Sequence, residues 1–341
     1  MSKKLSRREL LGLGAGIALG GSTAVREVLA QATSTLPAQP VAPALATAPA
    51  ASASPALPMR VLGQTGQKVT VFGLGGASSK TPLSNGPHEA AVAIVERALN
   101  LGVNYFDSAT TYGNGKSERA IGEVAKSRRK EMFIASKTDL RDYDGAMREL
   151  EESLKRLQTD HLDVWQMHRA SLPERDTEPF FGTNGAMKAL QKAKDEKMVR
   201  FVGVSGHHRS DVLADWLQRY PFDTLLASIN AADVHQEDSF IKRLLPVAQQ
   251  KKVGVIAMKV PAYGRLINPE AGVTIRDAMH YSLSQAGVAC CIIACDTITQ
   301  LEENVATART IDGPMEAAAQ TALEAKTADY WQRASFYRRW T

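Results

Sequence analysis

Cysteine is nearly absent: three in 341 residues, Cys290, Cys291 and Cys295, all inside one apolar run. An odd count with two adjacent members does not make a disulfide framework, and no CxxC or Cys/His spacing signals zinc or iron–sulfur. The run reads as a buried strand with small apolar thiols, and no metal site is expected. No stretch near twenty residues is purely apolar, which excludes a polytopic membrane protein. An excess of one charge is lacking too. Lys and Arg number 41 against 36 Asp and Glu. Five of the basic residues (Lys3, Lys4, Arg7, Arg8, Arg26) stand in the first 32 positions, with only Glu9 and Glu27 to balance them. The remainder holds 36 basic and 34 acidic residues, so the pI near 9.0 is no argument for a nucleic-acid partner. What is present is ordinary for a globular chain, 44% hydrophobic and 23% charged, with length for one or two full-sized domains.

The first 32 residues read as an address. A basic start precedes a Gly-rich, weakly apolar run from Leu10 to Val25, and Ala30-Gln31-Ala32 supplies a small-x-small cleavage site. This is the plan of an export signal. The run of 16 residues is short for a membrane span, so none is expected to remain after cleavage. Ser6-Arg7-Arg8, with Leu10 and Leu11 behind, resembles a bacterial twin-arginine signal. The resemblance implies the twin-arginine export machinery as a partner and a periplasmic or otherwise extracytoplasmic location for the folded protein. Residues 33–58 hold nine alanines, six prolines and no charge, a linker that cannot pack a core. The folded domain, 59–341, is expected to begin near Met59.

From Met59 on, short β-branched runs alternate with helical stretches. The strand candidates are Thr70–Gly76, Asn104–Ser108, Met132–Lys137, Leu162–His168, Phe201–Ser205, Thr224–Asn230, Val253–Lys259 and Ala289–Cys295. They are apolar at nearly every position, as strands covered on both faces are. Helices are expected over Glu89–Leu101, Glu118–Lys126, Asp144–Leu157, Ala186–Lys197, Arg209–Gln218, Glu237–Gln249, Ile275–Gln285 and Leu301–Arg309. Eight strand–helix alternations predict an α/β protein with a parallel sheet, and their span matches a (β/α)8 TIM barrel. An open doubly wound sheet fits less well. Gly73-Leu74-Gly75-Gly76 ends the first strand, but no GxGxxG turn enters a helix there. Ahead of it, Met59–Val69 reads as an N-terminal β-hairpin, turning at Gly63–Gly66, that would plug the bottom of the barrel. Asp312–Ala325 is helix-prone. The aromatic tail (Tyr330, Trp331, Phe336, Tyr337, Trp340) either folds over the barrel top or makes a subunit contact.

In such a barrel, chemistry sits at the C-terminal ends of strands. The second strand ends in Asp107, and Tyr112 follows five residues later. The third ends in Lys137 and the fourth in His168. Each has a plain reading alone: a loop cap, a packing phenol, a rim ammonium, a buried imidazole. Together they form one machine. A phenol is a poor proton donor near neutrality, and an adjacent buried ammonium should lower its pKa. Asp107 can neutralise the ammonium, and His168 can orient a substrate oxygen. Such a donor suits a carbonyl on which negative charge builds.

The order Asp107…Tyr112, Lys137, His168 resembles the catalytic tetrad of the aldo-keto reductases. The resemblance runs from Met59-Arg60-Val61-Leu62-Gly63 to Gln300-Leu301-Glu302-Glu303-Asn304. It includes Asn104-Tyr105-Phe106-Asp107-Ser108-Ala109, Tyr112-Gly113-Asn114-Gly115-Lys116-Ser117-Glu118, Asp163…His168, Gly203-Val204-Ser205 and Val255-Ile256-Ala257-Met258-Lys259. It implies reduction of an aldehyde or ketone with NADPH or NADH lying across the barrel mouth. Tyr112 would be the general acid, Lys137 and Asp107 its tuners, and His168 the substrate orienter. Gly76, Ser205, Gly206, Lys259, Gly264, Asp296, Gln300, Glu303 and Asn304 would meet the cofactor: Ser205 the carboxamide, Lys259–Leu266 the pyrophosphate, Cys295–Asn304 the adenosine end. The chain departs from the family at Gly206, where Asn is usual, and at Leu226, where Gln is expected. Ala294, Asp296 and Gln300 stand where NADPH-preferring members carry basic residues, leaving Arg265 or Arg309 to serve a 2′-phosphate. His207 and His208, directly after Gly206, either line the site or, the favoured reading, are exposed loop histidines, and Ser171–Thr183 with the tail are read as walls of the substrate pocket. The alternatives are a redox-sensing regulatory barrel that binds cofactor with little turnover, and a non-catalytic scaffold.

Overall fold

The computed structural model describes residues 55–340, so the export signal and nearly all of the linker lie outside the described residues. Two short strands, β1 (Met59–Val61) and β2 (Lys68–Thr70), form an antiparallel hairpin. Eight parallel strands follow: β3 (Phe72–Gly75), β4 (Tyr105–Asp107), β5 (Phe133–Thr138), β6 (Leu162–Met167), β7 (Val199–Gly206), β8 (Thr224–Ser228), β9 (Gly254–Met258) and β10 (Val288–Ile293). They pair in chain order, and β10 closes on β3. Helices lie between them, among them His88–Asn100, Lys116–Arg128, Tyr143–Leu157, Ala186–Asp195, Ser210–Arg219, Ile275–Ser284 and Ile298–Arg309. This is the expected (β/α)8 barrel.

The two-residue period of the strands sorts their side chains into two cores. Phe72, Leu74, Phe106, Ile134, Trp165 and Met167 face outward onto the helices. Tyr105, Phe133, Ala135, Val164, Leu226, Ile256, Cys290 and Ile292 fill the barrel interior. Leu62 and Val69 of the hairpin are fully buried with that interior set, and the Gln64 amide donates to the Lys252 carbonyl at 3.0 Å, so the hairpin is the expected bottom plug. Leu57, still within the Pro/Ala-rich segment, is already buried against the helix layer, a little earlier than the expected domain start. All three cysteines are buried free thiols whose pKa values burial pushes up.

The helix expected over Glu237–Gln249 is shorter, Leu245–Gln250, after a wide turn at Phe240–Leu244 with Pro246 in its first turn. A helix at Ala317–Thr327 fills most of the helix-prone stretch. The aromatic tail folds over the barrel top. Arg338 binds Asp233 and Asp238, Tyr337 Oη accepts from Asn230 at 2.8 Å, and the Arg265 guanidinium lies 3.7 Å from the Phe336 ring centroid. Among the described residues no helix is long and apolar enough to cross a membrane.

Candidate active site

Alternation carries the polar strand ends inward. Asp107 follows Tyr105 by two, Lys137 follows Phe133 and Ala135, and His168 follows Val164 and Gln166, so each continues an interior-facing row up to the mouth. Tyr112 enters from the loop after β4. That loop turns through three successive left-handed residues, Gly113 (φ 58°), Asn114 (φ 54°) and Gly115 (φ 77°), types that tolerate this conformation. Gly76 packs beneath it, and a Cβ there would lie 2.5 Å from the Asp107 carbonyl and 3.1 Å from the Tyr112 ring. Glu118, at the end of the same motif, is buried and accepts from Ser136 at 2.5 Å and Arg156 at 2.6 Å, which locks the following helix.

The Lys137 ammonium lies 2.7 Å from Asp107 Oδ2 and donates to the Ser108 carbonyl at 2.6 Å. Burial pushes Asp107 up and Lys137 down, and each partner's charge opposes the other's shift. Lys137 Nζ sits 4.7 Å from the Tyr112 ring centroid, and the Tyr112 and His168 rings meet edge-on with centroids 5.7 Å apart. The expected lowering of the Tyr112 pKa is corrected here. Burial, then the charges of Asp107 and Asp139, push the phenol well up, and the Arg169 charge offsets this only in part. Burial lowers His168 to about 4, so its imidazole is neutral near pH 7.

Two hollows meet at Tyr112. One, of about 570 Å³, runs from Gly75–Ser78 and Ile292–Ala294 to Met258, Lys259 and Tyr263. The other, of about 620 Å³, is walled by Lys137, His168, Arg169, Ser205, Gly206, His207, Leu226 and Trp340. The first suits an extended ligand bearing phosphate. Lys259 has no carboxylate partner among the described residues, and burial, with the Lys137 charge next, lowers it to about 8. Gly264, at φ 83°, has nothing within 4 Å of where a side chain would begin, so a ligand can approach its backbone closely.

Several sequence expectations are relocated. Gly206 ends β7 where a Cβ would lie 2.7 Å from the Ala170 carbonyl and 3.0 Å from Leu213, so the wall leaves no room for the family's Asn. Leu226 belongs to the apolar interior. Ser205 is buried with its hydroxyl 3.3 Å from the Met167 carbonyl. Asp296 accepts from Ser78 at 3.0 Å, and its amide donates to the Gln300 side chain at 2.6 Å. Glu303 is exposed on its helix, and Asn304 is buried, donating to Cys295 Sγ at 3.4 Å; neither lines the hollows. His207 and His208 are half-buried rather than exposed, because the tail covers them. His208 binds the Arg338 carbonyl, and His207 lines the second hollow against Tyr337 and Trp340. Ser171–Thr183 is gathered around Asp176 and contributes nothing to that wall, which the tail supplies through Trp340.

Two residues at the mouth, Asp139 and Arg169, escaped the sequence reading, and Tyr263 was read only as part of the Lys259–Leu266 loop. Asp139, two past Lys137, hydrogen-bonds His168 Nδ1 at 3.2 Å and accepts from Arg169 Nε at 2.8 Å. Arg169, next after His168, holds a left-handed φ of 56°. Tyr263 accepts from Lys259 at 2.8 Å. A carboxylate just past a strand end was the available signal for Asp139; nothing local marked Arg169.

Residues 71–271 match the model of the Aldo/keto reductase family. The chain is 29% identical over 285 residues to L-galactose dehydrogenase of Arabidopsis thaliana, covering 73% of this chain and 88% of that one. It is 29% identical over 181 residues to a methylglyoxal reductase of Escherichia coli, 52% and 60% of the two chains. Among solved structures, a holo aldo-keto reductase from Bacillus halodurans superposes with a TM-score of 0.67 at 22% identity, covering 79% and 96%. One from Klebsiella pneumoniae in complex with NADPH gives 0.62 at 20%, covering 79% and 94%.

Proposed function

This enzyme belongs to the aldo/keto reductase family, and we propose that it reduces an aldehyde or ketone with NADPH or NADH through Asp107, Tyr112, Lys137 and His168. The observation that carries this reading is the buried Lys137–Asp107 pair beneath Tyr112, with His168 edge-on to the phenol, at the C-terminal mouth of the barrel. A bound nicotinamide would supply the hydride. Tyr112 gives its proton to the oxygen on which charge builds, and a phenol whose pKa burial raises holds that proton at neutral pH. The Lys137 ammonium, fixed by Asp107 and Ser108, stabilises the phenolate left behind. His168 faces the same hollow and orients the substrate. Lys259 would hold the pyrophosphate, Gly264 would let it approach, and Ser205 would serve the reacting end. The names of the relatives, a sugar dehydrogenase and a methylglyoxal reductase, support a small polar substrate. The Arg7-Arg8 signal supports work outside the cytoplasm, with the folded protein exported by the twin-arginine route.

The test follows nicotinamide absorbance while a panel of aldehydes is added to parent and Tyr112→Phe. The variant should bind dinucleotide as the parent does and lose about 100- to 10,000-fold in turnover, the usual worth of general acid catalysis. Retention of activity within roughly threefold, far short of that loss, would remove Tyr112 from the role. A parent that binds dinucleotide and reduces no member of the panel is a redox-sensing barrel instead.

A further inference from the structure

His168 is held by a carboxylate outside the four residues assigned above. Asp139 follows Thr138 at the end of β5. Its Oδ2 lies 3.2 Å from His168 Nδ1, and its Oδ1 accepts from Arg169 Nε at 2.8 Å. Asp139 is mostly buried, with its side chain 15% exposed. Burial raises its pKa, but the hydrogen bonds and charges of His168 and Arg169 together outweigh that and hold it well below the usual carboxylate range. An ionised carboxylate can only accept. The proton in the Asp139–His168 contact therefore sits on Nδ1. The imidazole is neutral near pH 7 and has one N–H to give, so Nε2 carries a lone pair. Nε2 has no hydrogen-bond partner among the described residues, and His168 lines the second hollow beside Tyr112, Arg169 and His207. The other charged and titratable groups around the ring are Lys137 from β5 and Tyr112 from the loop after β4.

We propose that Asp139 is a positioning residue that fixes the Nδ1-protonated form of His168, so that Nε2 accepts a hydrogen bond and the site favours substrates that bring a hydroxyl to it. A bare carbonyl oxygen offers Nε2 only another lone pair. An α-hydroxy aldehyde or ketone presents its carbonyl to Tyr112 and its neighbouring hydroxyl to Nε2. In the reverse direction a vicinal diol does the same. The hydroxyl keeps its proton throughout, and no covalent step is added. Arg169 holds the second oxygen of Asp139 at 2.8 Å, which favours the orientation that keeps Oδ2 on the ring. The inference rests on the reductase reading for its substrate class, whereas the tautomer is a property of the protein alone.

Two measurements decide it. The first is a long-range nitrogen–proton correlation spectrum of the full chain with 15N-labelled histidine near neutral pH, with His168 assigned by loss of its signal in His168→Gln. Among the seven histidines, His168 should show a protonated Nδ1 and a bare Nε2. A protonated Nε2, or exchange-averaged nitrogens, overturns the proposal whether or not the enzyme turns over. The second is kcat/KM for glyceraldehyde against propanal, two aldehydes of equal chain length. The parent should prefer glyceraldehyde by roughly tenfold, the worth of one hydrogen bond. In Asp139→Asn the amide can donate to Nδ1 and reverse the tautomer, so the preference should fall to parity or invert, chiefly through KM. Asp139→Glu should restore part of it. An unchanged ratio in Asp139→Asn also overturns the proposal. Absence of any carbonyl reduction in the parent, with the expected tautomer present, removes the reductase reading and leaves the role of Asp139 standing.

Discussion

Replacing Lys137 by Met perturbs the ion pair at the base of the site. The ammonium and the Asp107 carboxylate are 2.7 Å apart, with side chains only 1% and 2% exposed. Met nearly matches the volume of Lys, so little cavity forms and the loss is electrostatic. The carboxylate is left without its one hydrogen-bond donor, since Oδ1 already has no partner. Breaking one side of a buried pair costs about 3–5 kcal/mol, because the remaining charge is uncompensated. At about 2–4 °C per kcal/mol for a large domain, the melting temperature falls by about 6–20 °C. Burial already raises the Asp107 pKa, and loss of the ammonium raises it further. A carboxyl group raised in the folded state adds stability below its unfolded pKa and loses it as pH rises through the folded value. The deficit of the variant is therefore smallest in acid and grows toward neutral pH. The double variant Lys137→Met with Asp107→Leu removes both charges and should recover most of the stability, because apolar replacement of a buried pair is about neutral. Neither variant should reduce carbonyls. Urea unfolding of the parent, the single and the double variant at acidic and neutral pH measures the differences. A loss below about 1 kcal/mol in the single variant, the scale of a surface pair, refutes the reasoning. A double variant no more stable than the single refutes it as well.

Three further outcomes are expected. NADH should serve at least as well as NADPH: Asp296 and Gln300 bind Ser78 and each other, Arg309 donates to the Leu101 carbonyl, and Arg265 stacks on Phe336. A kcat/KM preference for NADPH above roughly tenfold, the scale of one charged contact, would show that one of those arginines swings to the 2′-phosphate. Gly206→Asn restores the family's usual residue but meets the Ala170 carbonyl and Leu213, so denaturant titration should show about 1–3 kcal/mol of lost stability; a variant as stable as the parent would mean that this wall yields. Replacing Arg7 and Arg8 together by Lys should leave folded, active enzyme in the cytoplasm, and normal export of that variant in a fractionation assay would point to the general secretory route.

The barrel and the rough position of the site were legible because both depend on local pattern. Strands covered on both faces are apolar throughout, and eight such runs separated by helices have few ways to close. Asp107, Lys137 and His168 end strands at inward-facing positions, so the two-residue period alone carries them to one mouth. The rest depended on contacts between residues far apart in the chain. The tail could lie over the barrel or against another subunit until Arg338 is seen to find Asp233 and Asp238, and that choice is what half-buries His207 and His208. Glu303 and Asn304 sit side by side in sequence, yet the helix turns one to solvent and the other to Cys295. The protonation of the site was the least legible. The Tyr112 pKa depends on burial and on the charges of Asp107 and Asp139, and the Nδ1 proton of His168 depends on Asp139, 29 residues earlier in the chain. Desolvation and hydrogen-bond direction belong to the packed site, and no single strand of sequence carries them.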